Sequence, residues 1–94
     1  MNLLIVDDEY LVVEEVVTVT DWELLGITEI YSATNAVSAV RILNEKKIDI
    51  MICDIEMPQT DGLELSKKAK ENFPDLEIVM LTSHLSGAFQ YRRS

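Results

Sequence analysis

The stretch that decides the fold is Ile48-Asp49-Ile50-Met51-Ile52-Cys53-Asp54, followed at once by Ile55-Glu56-Met57-Pro58-Gln59-Thr60-Asp61-Gly62. A short run of β-branched and other apolar residues reads as a buried strand, and it stops on a carboxylate. Pro58, Asp61 and Gly62 then supply turn chemistry, and the spacing from Leu63 to Asn72 or Phe73 predicts a helix before Pro74-Asp75 breaks it.

The same alternation appears on either side. Leu3-Leu4-Ile5-Val6 is a compact apolar run ending on Asp7-Asp8, and the spacing of Leu11, Val12, Val16 and Val17 predicts a helix over Tyr10 to Thr18. Trp22, Leu24, Leu25 and Ile27 follow, with Gly26 as a helix stop. Glu29 to Ala33 reads as a weaker strand. Asn35 is suited to cap a helix running to Lys46, buried through Ala36, Val37, Val40 and Leu43. Downstream, Ile78-Val79-Met80-Leu81 is a fourth buried strand ending on Thr82-Ser83. Strands alternating with helices of this length make βαβ units, hence an α/β fold with a doubly wound parallel sheet.

Composition narrows the function. The chain has 94 residues, room for one domain, with 17 acidic against 8 basic residues and a formal net charge of -9. That balance argues against direct contact with DNA, RNA or an anionic membrane, which reward Lys and Arg. The apolar stretches are too short to span a bilayer, and the early Asp7-Asp8 interrupts any signal-like start, so a cytoplasmic setting is expected. The lone Cys53 sits in an apolar run and reads as a small buried hydrophobe.

Ligands of an open parallel α/β sheet bind beyond the carboxyl ends of its strands. In a flavodoxin-like order 2-1-3-4, the first and third strands are neighbours, so Asp7, Asp8 and Asp54 would meet at one edge. Clustered carboxylates repel and either take up a proton or bind a cation, and hard oxygen donors suit Mg²⁺. A carboxylate beside such a metal can attack phosphorus to give an acyl phosphate. Thr82 offers a hydroxyl from the adjacent strand. Taken singly, Asp8 could cap a helix, Asp54 could form a turn, and Thr82 could bond to backbone.

These residues resemble the receiver domain of two-component response regulators. The likeness rests on Leu3 to Glu9, on the D-x-x-M-P-x-x-D-G pattern from Asp54 to Gly62, and on Leu81-Thr82-Ser83; it holds over residues 1–83, leaving 84–94 as an atypical tail. Asp21 to Ile27 further resembles receivers joined to AraC-type DNA-binding domains. The resemblance implies a single receiver domain over 1–94, a CheY-like phosphoprotein that is a self-catalysed phosphoacceptor rather than a turnover enzyme. Asp54 would take a phosphoryl group from a sensor histidine kinase. Asp7, Asp8, Asp54 and the Glu56 backbone carbonyl would bind Mg²⁺, and Thr82 would be the switch hydroxyl. The Glu56 side chain and His84 would tune phosphoryl lifetime. Control of transcription would act on DNA through a separate output domain.

The tail departs from the family pattern, which has a fifth strand and helix and a lysine after that strand. In one alignment Phe89-Gln90-Tyr91 begins the fourth helix and the fifth βα unit is absent. In the other, Gly87 to Tyr91 is a degenerate fifth strand, with Tyr91 as the switch aromatic and Ser94 in place of lysine. Either lacks the lysine, and losing the last βα unit leaves the fourth strand as an open edge, from which a homodimer or strand-exchanged oligomer is expected. A pseudo-receiver, an interaction module that carries no phosphate, is the alternative function.

Overall fold

The computed structural model describes residues 1–9, 14–15, 17, 21–57, 60–85 and 88–93, except the side chains of 56–57, 60–61, 82–85 and 88–93. Its framework is a five-stranded sheet of β1 (Asn2–Val6), β2 (Glu29–Ala33), β3 (Ile50–Asp54), β6 (Glu77–Leu85) and β7 (Ala88–Arg93). The order across it is β2-β1-β3-β6-β7. The first four strands are parallel and follow the expected flavodoxin-like order 2-1-3-4. Helices α1 (Ala36–Glu45) and α2 (Gly62–Asn72) make the crossovers, and β4 (Glu56–Met57) pairs antiparallel with β5 (Thr60–Asp61) in a small ribbon just after β3.

Central strands read as unbroken apolar runs because both faces of the sheet are covered. Leu4, Val6, Met51, Cys53, Ile78 and Met80 face α1 and α2, packing with Ala39, Leu43, Leu65 and Ala69. Leu3 and Ile5 point the other way, with Ile27, Trp22, Val17, Ile50 and Ile52. Glu14, Glu15 and Val17 are helical, and the rest of the helix predicted over Tyr10 to Thr18 lies outside the described residues. Gly26 ends the turn after Trp22 with φ of 82°. The Ile27 N–H donates to the Trp22 carbonyl and the Gly26 N–H to that of Glu23, the paired bonds of a Schellman stop.

Asn35 caps α1 as its sequence suggests: its side-chain oxygen accepts the Ser38 N–H at 2.9 Å. Asn35→Ala is expected to cost about 1 kcal/mol of stability, read as a lower urea midpoint with an unchanged slope. The buried stripe of α1 matches the expected one at Leu43 and in part at Ala36, but not at Val37 and Val40. Ala39 and Leu43 are its buried residues, whereas Val37 and Val40 are 71% and 44% exposed. Ala39 has the small side chain that lets the helix lie close on the sheet, and that choice of contact line turns Val37 and Val40 outward.

The tail is the larger correction. Among the described residues no fourth helix begins at Phe89-Gln90-Tyr91; a strand lies there, as the second alignment has it, but β7 runs antiparallel to β6, with Leu81 opposite Tyr91 and an irregularity between Thr82 and Leu85. Backbone pairing satisfies the N–H and C=O groups that β6 would otherwise leave unmet. The open fourth-strand edge that motivated strand exchange is therefore covered.

Candidate functional site

Two neighbouring parallel strands deliver the candidate site. β1 and β3 pair with Val6 beside Cys53, so the residues that follow them emerge together at the carboxyl edge of the sheet. Asp7 is held by its own backbone, whose N–H donates to the Ala33 carbonyl at 3.1 Å, continuing the β1–β2 ladder by one step. Asp54 closes β3 opposite Leu81, and the Ile55 N–H donates to the Leu81 carbonyl at 2.9 Å.

One carboxylate oxygen from each of Asp7, Asp8 and Asp54 lies within 4.8 Å of the others. Asp7 and Asp54 are buried, 3% and 6% exposed, while Asp8 reaches solvent. The Asp7 carboxylate accepts the Glu9 N–H at 2.9 Å. Even so, its pKa is pushed up from 3.8 to about 6, chiefly by burial and further by the charges of Asp54, Asp8 and Glu9. Such a set is costly when fully ionised and favours a cation. Oxygens bound directly to one Mg²⁺ stand no more than about 4 Å apart, so a set already gathered within 4.8 Å needs only a small inward movement, or a bridging water, to hold the ion. The donors fit.

Around this trio, Glu56 lies in β4, two residues beyond Asp54. Thr82 lies on β6 one residue past Leu81, the partner of Asp54, and His84 two residues farther along. Tyr91 on β7 stands opposite Leu81, two strands from Asp54. The side chains of these four fall outside the described set, so their proposed roles rest on backbone position. Arg92 and Arg93 stand opposite Met80 and Val79, the rows of Cys53 and Ile52. Their backbone therefore sits inward of the Asp54 row, away from the carboxyl edge. Cys53 is fully buried, and burial pushes its thiol up to about 11, as befits an inert core residue.

Comparison with known proteins agrees with this arrangement. The model of the response regulator receiver domain matches residues 3–91. The transcriptional regulatory protein YesN of Bacillus subtilis is 33% identical over 92 residues, 98% of this chain; the chain spans 24% of YesN's own length. Among solved structures, a two-component transcriptional regulator AraC from Clostridium phytofermentans superposes with a TM-score of 0.84 at 26% identity, over 90% of this chain and 68% of that one. TrrA of Thermotoga maritima, solved in complex with Mg(2+)-BeF, gives 0.76 at 31% identity, over 89% of this chain and 70% of its own. Among the described residues, no helix is long and apolar enough to cross a membrane. Strand order, the acidic trio at the sheet edge and the family match converge: the chain belongs to the family of response regulator receiver domains.

Proposed function

We propose that this chain is a phosphoacceptor that takes a phosphoryl group onto Asp54 from a histidine kinase. The observation that carries the reading is the convergence of Asp7, Asp8 and Asp54 within 4.8 Å at the carboxyl edge of neighbouring strands. An Asp54 carboxylate oxygen forms the new O–P bond as the donor's P–N bond breaks, and the electron pair leaves with the imidazole. Asp7, Asp8, Asp54 and the Glu56 carbonyl are the residues that would hold Mg²⁺. When bound, the ion supplies charge neutralisation at the transferred phosphoryl oxygens. Thr82 is proposed as the switch hydroxyl, with Glu56, His84 and Tyr91 as tuning positions. The likeness to the AraC-type neighbour supports an output domain that touches DNA on the receiver's behalf, in the cytoplasm.

Incubation with acetyl phosphate and Mg²⁺ tests the proposal. Intact mass should rise by one phosphoryl group, with no gain in Asp54→Asn or without the metal. An unmodified native chain at saturating donor would sink it. A second reading, an interaction module that carries no phosphate, is favoured by one observation. The backbone of Arg92 and Arg93, the basic residues nearest the place of the family's lysine, lies inward of the Asp54 row, away from the edge where a phosphoryl group would sit. That reading predicts Mg²⁺ binding without an adduct.

A further inference from the structure

The start of α2 meets Asp54 directly. A Cβ built on Gly62 would run into the Asp54 carbonyl oxygen and stand 3.1 Å from both its carbonyl carbon and the Ile55 Cα. All three obstacles are backbone, so no side chain can swing aside to make room. Nor can Asp54 easily retreat. It is paired with Leu81 in the ladder, the Ile55 N–H is bonded to the Leu81 carbonyl at 2.9 Å, and the buried Cys53 Sγ lies 3.5 Å from the same Asp54 oxygen. Cys53 Sγ also approaches the Gly62 carbonyl at 3.9 Å, so strand end and helix start are packed as one unit.

We propose that Gly62 is a positioning residue for Asp54. By presenting no side chain where α2 abuts the Asp54 carbonyl, it sets how far the Asp54 carboxylate stands from those of Asp7 and Asp8. A methyl group here must push either the helix start or the strand end by a sizeable fraction of an ångström, and Mg²⁺ tolerates little departure from octahedral geometry. Misplacement on this scale costs metal affinity and in-line attack together. The spacing is a property of the carboxylates themselves, and its link to signalling rests on the phosphoacceptor function proposed above.

The test compares Gly62→Ala with Leu65→Ala, a core truncation on the same helix that leaves the Asp54 carbonyl alone. Both should lose stability. At a temperature where circular dichroism shows both folded, calorimetric titration with Mg²⁺ should give Gly62→Ala at least tenfold weaker binding. Leu65→Ala should stay within twofold of native. The phosphoryl adduct from acetyl phosphate should form correspondingly slowly only in Gly62→Ala. Native-like Mg²⁺ affinity in Gly62→Ala overturns the proposal, as does equal loss in Leu65→Ala. If Gly62→Ala is unfolded in buffer, the titration is repeated in trimethylamine N-oxide, which favours compact states. A variant still unfolded there also overturns it, because the role of Gly62 would then lie in the fold. A native chain that binds Mg²⁺ but gains no phosphoryl group would sink the phosphoacceptor reading alone, leaving the affinity comparison to decide this one.

Discussion

Asp7→Asn is expected to make the metal-free protein more stable at neutral pH while abolishing its response to Mg²⁺. Asp7 is buried, and its pKa stands near 6 in the fold against 3.8 in the unfolded chain. The folded state thus holds this proton more tightly. The favourable contribution is fully present below about pH 4 and is lost as pH rises through about 6. Over that window the native chain gives up roughly 1–3 kcal/mol at this one group. Asparagine resembles the protonated acid, and its side-chain oxygen can still accept the Glu9 N–H. The variant should match the native chain near pH 4 and exceed it by that margin at pH 7, in urea melts with chelator present. Mg²⁺ should reverse the order. A ligand at a thousand times its dissociation constant stabilises by about 4.1 kcal/mol, more than that margin, and the gain is available only to the native site. A variant no more stable than native at pH 7 would contradict the account of Asp7.

Leu4→Ala should come close to unfolding the domain. Leu4 is wholly buried at the centre of β1, between Tyr31 on β2 and Met51 on β3, and it packs into the core beneath α1 and α2. Truncating a buried leucine costs about 2–5 kcal/mol, with the upper end expected where neighbours on both sides are ladder-bound and cannot collapse into the cavity. A domain of this length has only about 5–14 kcal/mol to lose. The midpoint in urea should fall by a third or more. Leu24→Ala, at a site 83% exposed, should move it little, by no more than about 0.5 kcal/mol. Equal effects at the two positions would refute the burial pattern.

Much of this architecture could be read from the chain itself. The runs Leu3 to Val6, Ile50 to Cys53 and Ile78 to Leu81 carry a composition that only a two-sided sheet accommodates, and each is followed by polar residues. Asn35 and Gly26 mark their boundaries through chemistry confined to a few adjacent residues, so those marks were legible too. Val37 and Val40 were not, because helical spacing alone allows more than one stripe to face the sheet, and the close fit of Ala39 chose between them. Gly62 reads in sequence as a turn residue; that it also clears the path of the Asp54 carbonyl depends on the angle at which α2 leaves the sheet.

Sequence by itself determined the four parallel strands, the helices α1 and α2, and the presence of three carboxylates at strand ends. Only tertiary structure decided that β1 lies beside β3, which turns residues 47 positions apart into one acidic cluster and raises the pKa of Asp7. It alone decided, too, that the tail folds back as β7 along β6. The reason is common to both. Local patterning reports which residues must be buried, but lateral pairing is chosen by hydrogen bonds and packing between segments that no short window of sequence contains.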